Sequence, residues 1–396
     1  MPIEICAVGG YSETGKNSTA IKIDDEVIIL DMGLHMENYI RYTQDEDISA
    51  LSYQELLEVN AVPNYGLMED WKSKANAIVP LNLNSKYKLS SKITVELVNM
   101  THSIPHTAMV VLHTPYGRIV YANDYKFDRQ PMLGKKPNFE RLKEVGEEGV
   151  TLLVIESLYA HEHKKTPSEA VAEQMLKDVM LGVNAEGRGM IVTTFSSHLA
   201  RLKSIIELGK KLHRKIVFVG RSLSRYVVAG QNIDLIDFRQ DAKLVRHKDK
   251  IEKVLKQIMR EGKDKYLLVV TGHQGEPKAI LSRLSRGELD YRFDSGDVVI
   301  FSCSVIPVEL NKNNRDILER ELRNKGVRIF RDIHVSGHAC REDHRDLIEL
   351  LKPKHIIPSH AGADKAQHIA ELAEEMGYDR NKNVHLMEDG KRIVLK

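Results

Sequence analysis

Five short apolar runs in this sequence each end on a His, Asp or Glu. Val27–Leu30 runs into Asp31, Ile93–Asn99 into Thr101-His102, and Arg118–Ala122 into Asn123-Asp124. Leu152–Ile155 runs into Glu156, and His355–Pro358 into Ser359-His360. One such residue carries little meaning, because an Asp after a strand is commonly a turn or cap residue. Five at the carboxyl ends of strands, where sheet-based sites gather their ligands, point to a shared site. Neutral imidazole and carboxylate are the donor types zinc takes.

The elements that must position these groups fall into two styles. Up to about residue 125 the chain reads as strands and turns. Thr19–Ile23 and Glu26–Leu30 flank a hairpin turn at Asp24-Asp25, and Lys92–Asn99 alternates with Ile93, Val95 and Leu97 on one face. Met109–His113 and Arg118–Ala122 bracket the turn Thr114–Gly117, which completes an antiparallel meander with one buried face. After about residue 165 helices alternate with apolar strands. Helix Pro167–Met180 leads to strand Gly189–Thr194, His198–His213 to Lys215–Val219, and Lys248–Arg260 to Tyr266–Thr271. Strand Asp297–Ser302, helix Asn314–Lys325 and strand Val327–Phe330 continue the series, which implies a mostly parallel sheet covered by helices. The last stretch holds helix Arg345–Leu351, strand His355–Pro358, helix Lys365–Met376 and a hairpin at Asp389-Gly390.

Composition narrows the class. No apolar run approaches the roughly 18 residues of a membrane span, and Met1–Glu4 has no leader character. Cys6, Cys303 and Cys340 lie too far apart in sequence for a CxxC zinc site or a disulfide framework, so a reducing cytoplasm is the expected home. The net charge of +2 arises from 58 basic and 56 acidic residues that nearly cancel. Any nucleic-acid surface must therefore be a local patch.

At the strand ends the sequence resembles a known family. Thr101-His102-Ser103-Ile104-Pro105, followed by Tyr121 to Asp128, is similar to the third and fourth metallo-β-lactamase motifs in their ribonuclease J form. Thr271 to Pro277 resembles that family's TGxQGEP element, His334-Val335-Ser336-Gly337-His338-Ala339 its HVSGHA segment, and Pro358 to Gly362 its terminal PxHG motif. Gly9-Gly10 with Glu13-Thr14-Gly15-Lys16-Asn17 looks like its opening. The marks occur in family order along the whole chain, in the archaeal form, without an added C-terminal domain.

The resemblance implies an αββα metallo-β-lactamase core with an inserted Rossmann-like β-CASP domain. The limits would be 1–164 for the first part of the core, 165–330 for the insert and 331–396 for the rest of the core. It implies a zinc-dependent 5′-to-3′ exoribonuclease, a hydrolase of RNA phosphodiester bonds acting in RNA processing and decay. Two zinc ions sharing a hydroxide would lower the pKa of water and stabilise the attacking and leaving oxygens. In this reading His102 and His360 each serve one metal, Asp124 bridges both, and Asp31 orients the ligands. Glu156 and His338 transfer the proton, and His338 has a near-neutral intrinsic pKa suited to it. Ser196, Ser197, His334, Val335, Ser336, Gly337 and His338 would hold the RNA, single-stranded and entered from its 5′ end. A homodimer is the family's assembly, and no membrane is involved.

One family mark is missing. Where members carry HxHxDH after a strand, this chain reads Asn76-Ala77-Ile78-Val79-Pro80-Leu81. Its one HxH, His161-Glu162-His163, is followed by two lysines in an apparent surface loop. Without the motif each metal keeps two protein ligands, fewer than the three normal for catalytic zinc. The gap is compatible with three situations. Either the sequence lacks an internal stretch of the natural protein, or the chain is a catalytically inactive RNA-binding relative, or a rearranged site uses His35 or His106. Hydrolysis of a small ester is a weaker reading, because an inserted α/β part suits a polymer.

Overall fold

The structure is a computed structural model that describes residues 3–35, 38, 52–64, 79–306 and 308–395. The expected strand Ala77–Val79 lies largely outside them. Three strands open the chain: β1 (Ile3–Gly9), β2 (Ser18–Ile23) and β3 (Glu26–Leu30). A second series follows: β4 (Ser85–Lys88), β5 (Thr94–Asn99), β6 (Ala108–Thr114), β7 (Gly117–Ala122) and β8 (Val150–Glu156). Between residues 190 and 330 come β9 (Met190–Thr193), β10 (Lys215–Val219), β11 (Ala242–Val245), β12 (Tyr266–Val270), β13 (Val298–Phe301) and β14 (Arg328–Phe330). The chain closes with β15 (His355–Ser359) and β16 (Arg392–Leu395).

These strands make three sheets. The first has the order β16-β1-β2-β3 and is antiparallel. The second, β15-β8-β7-β6-β5-β4, is an antiparallel meander extended by two parallel strands. They pack face to face because alternate residues of each are apolar. Ile3, Ile5, Ile21 and Ile23 of the first sheet meet Leu112, Ile119, Tyr121, Leu152 and Ile357 of the second in one core. The other face of the second sheet is also covered. Val98, Val111, Val120 and Leu153 pack under helices Phe139–Glu147, Arg341–Leu351 and Ala363–Glu375. The meander therefore does not have the single buried face expected from sequence. On its outer side Glu96 is buried, ion-paired to Arg141 and hydrogen-bonded to His113.

The third sheet, β11-β10-β12-β9-β13-β14, is parallel throughout. Its strands are apolar on both sides, as a sheet between two helix layers requires. Val192, Phe218 and Val269 face helices Glu169–Gly182, Leu199–Lys211 and Arg221–Asn232. Ile191, Val217 and Leu268 face Lys248–Glu261, Ile280–Ser285 and Glu309–Asn324. The layout is the sandwich core with a Rossmann-like insertion. After the insertion the chain returns to the sandwich, where β15 pairs with β8 and delivers His360 beside Glu156. The hairpin expected at Asp389-Gly390 is absent: β16 pairs with β1, almost 390 residues away in sequence.

Candidate active site

Four side chains from separate segments converge where β7, β8 and β15 end. Glu156, the last residue of β8, is fully buried. Its Oε1 accepts hydrogen bonds from the backbone N–H of Tyr125 (3.1 Å) and Ala339 (3.3 Å). Its Oε2 accepts from His338 Nδ1 at 2.8 Å. Burial pushes this carboxyl up, but the charge and hydrogen bond of His338 outweigh it and hold Glu156 at about 2. Burial likewise works against the His338 imidazolium, yet Glu156 and then Asp124 raise it to about 9. At neutral pH the pair is therefore a carboxylate facing an imidazolium.

Asp124 and His360 complete the group. Both sit in the left-handed region, with φ of 52° and 61°, so each strand turns sharply as it delivers its side chain. His360 Nε2 lies 3.4 Å from Asp124 Oδ1, and the His338 and His360 rings stack with centroids 5.2 Å apart. Asn17 Nδ2 donates to His360 Nδ1. Ligand atoms of Asp124, His338 and His360 all lie within 4.8 Å of one another. Burial lowers His360 from its ordinary value, which leaves it neutral.

The remaining expected residues surround this group. His102 follows β5 and donates from Nδ1 to Gly337 O at 2.7 Å; burial and neighbouring His338 hold its pKa down to about 4. Its ring stands edge-on to His338, with centroids 4.7 Å apart, but it is outside the set of three. Gly337 has to be glycine: a Cβ there would meet the His102 ring and Ser103 N at 2.9 Å. Asp31 accepts from Tyr121 Oη (2.8 Å) and Asn123 Nδ2 (3.4 Å), both beside the Asp124 turn. Ser336 Oγ accepts from His338 N and Val335 is buried. Ser196 and Ser197 leave the carboxyl end of β9, where Ser196 Oγ lies 2.9 Å from Ser222 Oγ. His334 is neutral, pushed down to about 3 by burial and by Arg201. His161 and His163 are exposed in a loop, as expected.

Sequence reasoning missed a set of polar residues behind these. Asn17, Thr101, Lys126 and Asp128 lie within the motifs quoted above but drew no role there, and Glu169, His198 and Arg201 lie outside every motif. A signal was nonetheless present, because Glu169 and Arg201 occupy core positions of otherwise apolar helix stripes. Glu169 stands in register with Ala172, Leu176 and Met180, and Arg201 with Ile205 and Leu208. Charges at such positions are rarely buried unless paired. A cavity of about 620 Å³ opens beside them, bounded by Thr101, His102, Lys126 and Asp128 of the sandwich and by Glu169 and His198 of the insertion.

The residues present can be tested against zinc. Asp124 Oδ1, Asn123 Oδ1 and Asn17 Oδ1 are buried without hydrogen-bond partners, and all three belong to this group or to its immediate neighbours. Such a polar deficit suits a cation. Among the described residues the donors do not suffice for two ions. Among the described residues one cluster of three or more metal-capable groups occurs, Asp124–His338–His360, and His338 is already bonded to Glu156. All 17 histidines lie in the described residues. His35 instead faces Glu13, and His106 is an exposed turn residue, so neither replaces the missing ligands in this arrangement. The set can hold at most one ion, through Asp124 and His360.

The chain matches two family models. Residues 186–319 match "Ribonuclease J, beta-CASP domain" and residues 327–387 match "Zn-dependent metallo-hydrolase RNA specificity domain". It is 39% identical to a ribonuclease J of Methanocaldococcus jannaschii, with 98% of each chain covered. It is 38% identical to a ribonuclease J of Pyrococcus abyssi, with 98% of this chain and 96% of that protein covered. The first alignment runs over 440 positions against 396 residues here, so at least 44 residues of that relative have no counterpart in this chain. Among solved structures, a protein of unknown function from Enterococcus faecalis superposes over 100% of both chains with a TM-score of 0.63 at 14% identity, a likeness of fold.

Proposed function

The chain belongs to the ribonuclease J family, and on that premise we propose that it is a metal-dependent ribonuclease that degrades single-stranded RNA from the 5′ end. The observation that carries this reading is the convergence of Asp124, Glu156, His338 and His360 from four separate segments. The proposed domain limits are 1–164, 165–330 and 331–396. RNA lies in the cleft between the sandwich and the insertion, with phosphates on Ser196, Ser197, Ser336 and the backbone of Val335 and Gly337. A homodimer is the proposed assembly.

The chain's own residues supply two operations. The first is orientation: Glu156 holds His338 by Nδ1 and the following backbone by Ala339 N, so the imidazolium has one direction. The second is proton delivery. His338, charged at neutral pH, carries the proton that the leaving oxygen needs when the P–O bond breaks. In this family zinc supplies the activated water. Two zinc ions do not fit the donors described, so no step of this chain's reaction is assigned to them.

The alternative is an RNA-binding relative without cleavage. One experiment separates the two. RNA labelled at either end is incubated with zinc and the purified chain. Release of mononucleotides from the 5′ end, lost in Glu156→Gln and in His338→Ala, supports the nuclease. Tight RNA binding without release at any zinc concentration supports the second reading.

A further inference from the structure

We propose that Arg201, which touches neither RNA nor a reacting atom, is the positioning residue that fixes the substrate end of the 333–338 loop and so sets RNA affinity. The proposal rests on the RNA-binding reading of that loop given above.

Arg201 is fully buried in helix Leu199–Lys211, and its guanidinium uses every side. Nε and Nη2 donate to the two oxygens of Glu169, at 2.5 and 2.9 Å. Nη1 donates to Ser302 O (3.0 Å), Ser302 Oγ (2.8 Å), Ile333 O (3.1 Å) and His334 Nδ1 (3.5 Å). Ser302 Oγ donates in turn to Ile333 O at 2.9 Å. The first two residues of the loop thus hang on one side chain.

Glu169 is itself tied to the sandwich. Asp128 accepts from Ser168 Oγ (2.6 Å) and from Glu169 N (2.8 Å), which caps helix Glu169–Gly182. Asp128 N donates to Thr101 Oγ1 at 3.2 Å, and Thr101 precedes His102, which grips the far part of the loop through Gly337 O. The polar chain therefore closes on itself around the cleft. A buried ion pair of this kind adds little net stability over an apolar pair of the same volume. What the guanidinium adds is direction, through a rigid planar fork that an ammonium lacks.

The loop is held at both ends by different side chains. Arg201 holds residues 333 and 334, and Glu156 holds residues 338 and 339. Releasing the first should loosen substrate contacts and leave the proton-carrying end in place.

The test compares the full chain with Arg201→Met, Arg201→Lys and the double variant Glu169→Gln/Arg201→Met. A 5′-phosphorylated ten-nucleotide RNA carries a fluorophore at its 3′ end, and binding is followed by anisotropy in EDTA. Melting temperatures are recorded alongside. Arg201→Met leaves the buried Glu169 carboxylate with only His198 Nε2 beside it, at 3.3 Å, and lowers the melting point. The double variant removes both charges and should recover most of that loss. RNA affinity should fall about tenfold in all three variants and stay low in the double variant, because Ile333 O keeps only Ser302 Oγ and the guanidinium contact to His334 Nδ1 is gone. Where cleavage is measurable, KM rises and kcat stays within about twofold, whereas Glu156→Gln lowers kcat. Wild-type affinity in the double variant, or a fall in kcat at unchanged KM in Arg201→Met, would overturn the proposal. A wild-type chain that binds no RNA would overturn the functional reading and this proposal with it. Normal wild-type binding with unaffected variants overturns this proposal alone.

Discussion

Acidification should loosen this chain through His344, and the size of the effect can be worked out from its surroundings. His344 is fully buried in helix Arg341–Leu351, where Tyr125 Oη lies 2.8 Å from Nδ1. Burial lowers its pKa to about 4, with a further push from neighbouring His338. An unfolded histidine titrates near 6.5, so below that pH the unfolded chain binds a proton that the folded chain refuses. The stabilisation is full above about pH 6.5 and is lost as pH falls towards 4. At about 1.4 kcal/mol per pH unit, the loss is roughly 2 kcal/mol by pH 5 and roughly 3 kcal/mol by pH 4. Other buried histidines add to the wild-type slope, so the informative quantity is a difference. His344→Asn keeps a polar atom near Tyr125 and cannot titrate. Urea unfolding at several pH values should show the wild type losing stability more steeply than the variant, by about one proton between pH 6 and 5. Identical slopes would refute the assignment and mean that His344 is already protonated in the folded chain.

Three further outcomes are expected. Equilibrium dialysis against zinc should load fewer than two ions per chain, and His360→Ala should abolish what binds; two tightly held ions would show that ligands beyond those described complete the centre. Gly337→Ala should cost about 1–3 kcal/mol of stability and weaken RNA binding, because its methyl group would press into the His102 ring; an unchanged melting point and affinity would contradict this close approach. Burial pushes the Cys303 thiol up to about 12 and Cys340 to about 11, so iodoacetamide at pH 8 should leave both unmodified until urea is added. Modification of folded Cys303 at the rate of a free thiol would show that its pocket opens.

The parts of the fold that local pattern encodes were readable from sequence. The parallel strands are continuous apolar runs, and helices such as Lys248–Glu261 carry a full apolar stripe. The positions of Asp124, Glu156 and His360 followed from strand ends, because a chemical group after an apolar run is itself a local signal. Helix Arg221–Asn232 escaped notice because its buried face is Leu223, Ser224, Val227, Gly230 and Gln231, only two of them large and apolar. The partner of β16 was hidden for another reason. Asp389-Gly390 is turn chemistry, and nothing local reveals that the strand after it pairs with Ile3–Cys6. Arg201 shows a third limit. Its helix stripe hinted at a buried charge, but which loop it holds depends on contacts more than 100 residues away.

The pairing of β15 with β8 and of β16 with β1 also bears on how the protein is made. Both strands close sheets whose other members lie far earlier in the chain, and β15 brings His360 with it. During synthesis the sandwich therefore stays open at two edges until the last segment leaves the ribosome, while the parallel-sheet insertion has all its strands well before. The cluster of Asp124, Glu156, His338 and His360 cannot assemble before β15 has paired with β8.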